Sequence, residues 1–212
     1  AVGLGVVGEG TEMVDMSTTQ DWDALPDDRK RYEAKRMAVY GGMIEAMDFH
    51  IGRLIEHLKT TGQYENTLLI FTSDNGTEVS GPTDPGRVQA QIFLRNQGYT
   101  SEYETLGLKG SFNSISPSFA SASASPLAFY KFYAGEGGLR VPLIIAGQSV
   151  LNKGELNHAL SHVTDITPTI LSLAGVKAPD GRFGGRPIEA MIGRDLMPII
   201  RGDVERVYAE DE

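Results

Sequence analysis

The sequence has no cysteine among its 212 residues and is short of positive charge. Without cysteine, disulfides and thiolate metal sites are excluded, and the redox compartment cannot be inferred. The sequence has 19 lysines and arginines and 28 acidic residues, which gives a formal net charge of -9. A nucleic-acid partner is not expected, because such binders need a basic face. An anionic substrate is still compatible with this charge, since a bound cation can reverse the local potential.

Long apolar runs are also missing, so no membrane partner is expected. The first eight residues are apolar and Gly-rich, but they are short and lack the basic n-region of a signal peptide. The hydrophobic share of 41% and the charged share of 22% are typical of a soluble globular protein. The chain starts without Met and stops on an acidic tail, so both ends are expected to be cut.

The strongest periodic signal lies between Met37 and Leu58, where apolar residues recur every three or four positions. This spacing predicts a long helix with a buried apolar stripe, ending near Gly62. Asp48 and His50 fall within the helix, and a structural role is favoured over metal ligation for both, because polar groups beside a buried stripe are usually hydrogen-bonded.

Two apolar, β-branched segments predict strands. Residues 67–73 show almost no alternation, which indicates a strand buried on both faces, as in a parallel sheet covered by helices. Residues 141–146 predict a second buried strand. A further helix is expected to start at Asp165 or Thr164 as the cap and to run to Gly175.

Between the predicted strands, residues 77–128 form a long polar excursion with four prolines and a serine-rich part. A linker is one interpretation. A loop that covers or binds at a site is the favoured one, because long loops inside compact domains usually serve such roles. A short helix is predicted near 127–132, followed by a glycine turn at 136–138.

Asp74 and Asn75 come directly after the first predicted strand. Ligands of open α/β sheets gather beyond the carboxyl ends of the strands. A carboxylate and an amide oxygen placed there suit a hard cation such as Ca²⁺ or Mg²⁺. Taken alone, however, Asn75-Gly76 favours a tight turn, since Asn-Gly is a common hairpin dipeptide.

Lys131 and Arg140 flank the glycine turn. A lysine delivered by a loop can stabilise negative charge on a transferring sulfuryl or phosphoryl group, although a plain surface lysine is the more common case. The four histidines lack the spacing of a helical zinc motif. His162 lies three residues before Asp165 at a helix start, so a structural hydrogen bond is expected there.

The order of these segments resembles the sulfatase family, and the placement of Tyr130-Lys131 after a serine-rich insertion is most similar to bacterial arylsulfatases. The resemblance covers about residues 30–202. The segments that carry it are Met43–Asp48, Ile51–Ile55, Phe71–Gly76, Tyr130-Lys131, Gly135–Pro142, His162–Gly175 and Gly185–Pro187.

The resemblance implies an α/β fold: part of an alkaline-phosphatase-like sandwich with a mostly parallel central sheet covered by helices. Residues 1–212 are then a single partial catalytic domain, incomplete at both ends, with the loop 77–128 inside it. By the same resemblance, Asp74 and Asn75 are metal ligands that supply half of a Ca²⁺ site, with Ca²⁺ preferred to Mg²⁺. Lys131 contacts the sulfate, and the partner is a small sulfate ester. No site role is carried onto Asp48, and residues 136–142 are structural.

The implied activity is hydrolysis of a sulfuric ester, which the family performs with a formylglycine made from Cys or Ser in Cys/Ser-x-Pro-x-Arg. That motif is absent here, so the nucleophile is expected only in a missing N-terminal part. Residues 83–87 read Thr-x-Pro-x-Arg, but they follow the metal strand instead of preceding it, and no nucleophile is assigned. The family's small C-terminal sheet domain is also expected to be missing.

Two alternatives stay open. The same scaffold could hydrolyse a phosphate or phosphonate ester, or the chain could be a catalytically inactive truncated relative that acts as a binding or structural module. A truncated chain is expected to associate with itself through uncovered apolar surfaces. A soluble bacterial protein, cytoplasmic or periplasmic, is expected.

Overall fold

The computed structural model describes residues 2–5, 7–14, 16–79, 88–147, 150 and 154–209. The chain divides into two compact units. The first comprises Ala1–Gly62 and Thr72–Leu143, and the second comprises Gln63–Phe71 and Ile144–Glu212. The single partial domain remains a prediction. In the described residues, no helix has both the length and the apolar character that a membrane crossing requires.

The first unit is dominated by helix α1, Asp27–Thr60. Pro26 precedes the helix, while Asp27 and Asp28 occupy its first turn, where the helix dipole favours negative charge. Gly62 follows with a positive φ of 69°, a conformation common just beyond helix ends. The predicted long helix and its end are therefore confirmed.

The predicted burial of the apolar stripe on α1 is wrong. Ile44 and Met47 are each 44% exposed, and Leu54 is 51% exposed. The fully enclosed positions of α1 lie earlier, at Glu33 and Arg36. Periodicity tells which face of a helix is apolar, but burial depends on what packs against that face. Most of the stripe lies in the exposed second half of the helix.

The buried side chain of Arg36 connects α1 to the segment before α3. Arg36 is wholly buried and donates to Ser114 O at 2.5 Å and to Ser114 Oγ at 3.0 Å. Its guanidinium also donates to Glu33 Oε1 at 2.9 Å. A buried charge is tolerated only when it is paired in this way, so the contact fixes one specific docking of the helix.

The segment predicted as a long loop contains helices. It holds α2 at Val88–Asn96, a 3-10 helix at Tyr103–Thr105 and α3 at Pro117–Ala124. The Ser116 hydroxyl accepts from Phe119 N at 3.4 Å, and Pro117 occupies the first turn, so the serine-rich stretch begins with an ordinary helix cap. Residues 80–87, which include the Thr-x-Pro-x-Arg sequence, lie outside the described residues.

The short helix predicted near 127–132 is also wrong. The chain is irregular from there to α4, a single turn at Glu136–Leu139. Phe129 and Phe132 have φ angles of 70° and 81°, which are incompatible with a right-handed helix. Residues 136–138 thus lie in a helical turn that leads toward the second strand.

The hydrophobic core of the first unit gathers residues far apart in sequence. Partly buried Met37, Tyr40 and Phe119 pack against it, so both α1 and α3 contribute. Its buried members are Met16, Val79, Ile115, Ala120 and Tyr130.

The second unit contains most of β1, Leu68–Thr72, and of β2, Leu143–Gly147, which are hydrogen-bonded neighbours in a two-stranded sheet. Both predicted strands are confirmed. The predicted burial of β1 on both faces is wrong, because Phe71 is 38% exposed, and the predicted burial of β2 is incomplete, because Ile144 is 55% exposed. The combination of helices and small sheets agrees with the α/β class, while the mostly parallel central sheet remains a prediction.

The rest of the second unit is built around α5, Ile166–Leu173, after a 3-10 turn at Val163–Asp165. The predicted helix start is confirmed. The other elements are a 3-10 turn at Tyr64–Asn66, the antiparallel pair β3 (Arg182–Phe183) and β4 (Arg186–Pro187), and α6 at Met197–Ile200; the first unit also has a 3-10 turn at Val2–Leu4.

Asp165 is the buried centre of this second unit. It is wholly enclosed, and its carboxylate accepts from His162 N at 2.7 Å, Arg194 N at 2.8 Å and the Tyr208 hydroxyl at 2.5 Å. The structural hydrogen bond expected for His162 is therefore present, and it comes from the backbone N–H. Burial raises the pKa of Asp165, but these hydrogen bonds outweigh it and leave the pKa below the ordinary value.

Candidate functional site

The predicted site residues Asp74, Asn75 and Lys131 all lie in the first unit. Asp74 follows β1 after one residue and is exposed, whereas Asn75 is half-buried. Ser73 Oγ donates to the backbone oxygen of Asn75 at 2.8 Å. Within the described part of the chain, neither the Asp74 carboxylate nor the Asn75 amide has a hydrogen-bond or ion-pair partner, so their oxygens are available to a cation.

The close approach of two backbone segments explains why residue 76 is a glycine. Its N–H donates to Gly138 O at 3.0 Å, and a Cβ built on it would lie 1.9 Å from Gly137 O. Gly76 does not have a positive φ, so it is not the left-handed glycine that the hairpin interpretation of Asn-Gly requires. The glycine is needed because segment 74–79 passes against segment 128–138 without room for a side chain.

The same two segments bring Lys131 near the Asp-Asn pair. Lys131 N donates to Thr77 O at 3.0 Å. Thr77 is two residues beyond Asn75, a span of at most about 7 Å of extended chain. The neighbouring Tyr130 is buried in the core, and its hydroxyl donates to Thr18 Oγ1 at 2.9 Å. The backbone of Lys131 is therefore held in place by its hydrogen bond to Thr77 and by the buried side chain of Tyr130.

The Lys131 side chain forms an ion pair with Glu78. Both side chains are about one-third exposed, at 34% and 37%, and the Lys131 ammonium lies 5.4 Å from the Phe132 ring centre. Sequence reasoning missed Glu78. The only available signal was its position two residues after Gly76, because an isolated acidic residue in a predicted polar loop has no distinguishing pattern.

Lys131 also lies between two strained residues. Phe129 and Phe132 both adopt the left-handed conformation, with φ of 70° and 81°. For a bulky side chain each such conformation costs about 1–3 kcal/mol and persists only where the surroundings enforce it. Strain of this kind concentrates at functional sites, which favours a functional role for the Lys131 segment.

The side-chain oxygens of Asp74 and Asn75 are of the kind that a hard cation binds, but two ligands fill only part of its coordination sphere. Asp74 and Asn75 offer two side-chain oxygens, whereas Ca²⁺ takes about six to eight oxygen ligands. The described residues contain no cluster of three or more His, Asp or Glu that could hold a metal. Any complete site therefore needs ligands beyond this pair.

Among the described residues, no hydrogen bond or ion pair joins the other polar residues singled out in the sequence to Asp74, Asn75 or Lys131. Asp48 is exposed on α1 and has no partner within the described part of the chain, so the expected structural hydrogen bond is not found. His50 Nδ1 lies 3.1 Å from the Arg53 guanidinium. Arg140 pairs with Glu136 at 3.0 Å on an exposed turn.

A cavity of about 590 Å³ also opens in the first unit, between the start of α1, α2 and residues 99–103. It is lined by arginine, tyrosine and carboxylate side chains, among them Arg31, Arg95 and Tyr99. None of Asp74, Asn75 and Lys131 lines it. The candidate site residues therefore lie outside this cavity.

The chain belongs to the sulfatase family: the Sulfatase family model matches residues 12–176, which include Asp74, Asn75 and Lys131. This confirms the family that the order of sequence segments resembled. It also means that the Asp-Asn-Gly, Tyr-Lys and Gly-Gly segments, which pack together in the first unit, lie within the part of the chain that defines the family.

Curated relatives agree. The chain is 33% identical to an arylsulfatase of Klebsiella aerogenes over 197 residues, covering 92% of this chain and 41% of that protein. It is 35% identical to an uncharacterized sulfatase of Schizosaccharomyces pombe, covering 87% and 33% of the two chains. Human steryl-sulfatase is 28% identical, covering 79% and 22%. The chain thus spans less than half the length of the curated relatives it matches.

A solved structure is similar at a weaker level. It is a protein in complex with its substrate D-glucosamine-2-N,6-O-disulfate, with a TM-score of 0.46 and 23% identity. The match covers 79% of this chain and 23% of that one.

Proposed function

We propose that this chain supplies the cation-binding and sulfate-contacting part of a sulfuric ester hydrolase of the arylsulfatase type. The observation that carries the proposal is the backbone hydrogen bond from Lys131 N to Thr77 O, at 3.0 Å. It brings a lysine beside an Asp-Asn pair whose side-chain oxygens have no partner in the described residues. Membership of the sulfatase family supports sulfate esters as the substrate class.

Each residue has a distinct role in this proposal. Asp74 and Asn75 bind Ca²⁺, in preference to Mg²⁺, because their oxygens are hard ligands and a flexible, multi-ligand sphere suits the larger ion. When bound, the cation supplies positive charge that neutralises the ester oxygens. The Lys131 ammonium donates to a sulfate oxygen and stabilises the charge that develops there.

No residue of this chain is assigned to attack the ester. The sequence lacks Cys/Ser-x-Pro-x-Arg, so the proposal places a formylglycine nucleophile outside these 212 residues. The proposed fold is correspondingly part of an alkaline-phosphatase-like sandwich, in which β1 and β2 are two strands of a mostly parallel sheet.

The substrate class is tested on the whole protein with three matched substrates: an aryl sulfate, an aryl phosphonate and an aryl phosphate ester. We expect kcat/KM to be highest for the sulfate. A calcium chelator should abolish turnover, and added Ca²⁺ should restore it. A higher kcat/KM for the phosphonate or the phosphate ester would show that sulfate esters are not the preferred substrate class. No turnover of any ester would indicate a catalytically inactive relative.

A further inference from the structure

We propose that Glu78 is a positioning residue that holds the Lys131 ammonium in place for the ester. The proposal rests on the proposed function, since it concerns how the sulfate-contacting lysine is aimed. Glu78 Oε2 and Lys131 Nζ form an ion pair between two segments that are far apart in sequence. The pair is therefore a tertiary contact and not a local helix pair such as Glu56–Lys59.

Both partners are fixed at the backbone. Val79, next to Glu78, is 7% exposed, and Tyr130, next to Lys131, is 2% exposed. The hydrogen bond from Lys131 N to Thr77 O joins the two segments directly beneath the side chains. The pair consequently forms between two anchored backbones, so that only side-chain freedom is lost when it closes.

A lysine needs such a partner if it is to act on a defined atom. Its ammonium is a point charge on a flexible four-carbon stem with about 2 kcal/mol of rotamer entropy. Glu78 from one side and the Phe132 ring at 5.4 Å restrict that freedom. An ammonium has three donor hydrogens, so one hydrogen bond to Glu78 leaves the others for an anion.

The test compares Glu78→Gln, Glu78→Asp, Lys131→Ala and the double variant Glu78→Gln/Lys131→Ala in the whole protein, with an aryl sulfate as substrate. Glu56→Gln is the matched control, because it removes an exposed Glu–Lys pair of 2.7 Å elsewhere on the same unit. Thermal unfolding of each variant shows whether it is folded. Glu78→Asp keeps the charge if the amide variant does not fold.

We expect Glu78→Gln to lower kcat by about tenfold, because a misplaced catalytic group loses rate with modest change in KM. Glu78→Asp should retain more of kcat than Glu78→Gln. In the Lys131→Ala background, Glu78→Gln should cause no further loss, since Glu78 acts through the lysine. Glu56→Gln should match the wild type.

Three results would overturn the proposal: unchanged kcat for Glu78→Gln, an additive loss in the double variant, or a lower KM with kcat retained. The last would mean that Glu78 competes with the anion. Failure of the proposed function looks different. In that case the wild type does not hydrolyse the sulfate ester, or Lys131→Ala turns over normally, and the positioning role falls with it.

Discussion

At the scale of single residues, Gly76 shows how the segment that carries Asp74 and Asn75 packs against the segment that carries Lys131. A side chain at this position would collide with the backbone of Gly137, and the Gly76–Gly138 hydrogen bond depends on that close approach. The sequence indicated Gly76 only as half of a turn dipeptide. Its real role depends on a segment some sixty positions later, which no local pattern encodes.

Gly76→Ala should separate the two segments and destabilise the first unit. The added Cβ would lie 1.9 Å from Gly137 O, and a backbone carbonyl cannot move aside cheaply. We expect a loss of about 2–4 kcal/mol in the free energy of unfolding, measured by urea denaturation. Gly42→Ala is the control, because that helical position has nothing within 4 Å and should gain up to about 1 kcal/mol. Equal stability of Gly76→Ala and wild type would refute the close-approach explanation.

Asp165 should make the stability of this chain sensitive to acid. Because its folded pKa is depressed, its stabilising contribution is present above the ordinary value of 3.8 and is lost as the pH falls through the folded pKa. Asp165→Asn should cost about 2–3 kcal/mol at pH 7, since three donors lose a charged acceptor. The difference from wild type should shrink below about pH 4.

Denaturation at pH 7 and pH 3 measures this effect. Asp180→Asn is the matched control, because Asp180 is exposed in the same unit and should show little change at either pH. A pH-independent difference between Asp165→Asn and wild type would contradict the assignment.

Short motifs could single out candidate site residues, whose roles remain predictions, whereas contacts between distant segments could not be predicted. Asp74, Asn75 and Lys131 were indicated by the order of short motifs. The Glu33–Arg36 pair and Glu78 were missed, because a charged residue in a helix or loop carries no signal of its buried or paired state.

Helix α1 shows the same division at the element scale. Its presence followed from the spacing of the apolar residues and its end from Gly62, and both of these signals are local. Its exposed stripe did not, since burial requires a partner surface. The serine-rich segment before residue 128 has the composition of a loop, although Ser116-Pro117 is also a helix start, so composition does not reveal α3.

The exposed stripe of α1 should drive self-association of residues 1–212. Ile44, Met47 and Leu54 are each 44% exposed or more on one helix, and water disfavours such grouped apolar surface. Replacing Ile44 and Met47 by Gln should shift the protein toward monomer without loss of stability. Sedimentation velocity over a range of concentrations measures this.

Glu45→Gln serves as the control for that experiment, because it changes a polar residue on the same helix. It should leave association unchanged. A wild-type chain that is monomeric at all concentrations would show that the exposed stripe does not drive association.

On the scale of the whole molecule, the family was predictable although each motif alone was ambiguous. Asn-Gly favoured a turn and a lone lysine favoured the surface, but the order of the segments distinguished the sulfatase family, and the family match over residues 12–176 confirms it. The complete site could not be predicted from this chain, because it spans less than half the length of relatives such as the Klebsiella arylsulfatase.

We propose that Lys131 contacts the sulfate beside a cation bound by Asp74 and Asn75. This role is tested by measuring kcat/KM of the whole protein for an aryl sulfate with Lys131→Ala, compared with Lys109→Ala, an exposed lysine of the same unit. We expect a loss of about 100-fold or more for Lys131→Ala, as for removal of a charge-stabilising donor, and no change for Lys109→Ala. Unchanged kcat/KM in Lys131→Ala would contradict it.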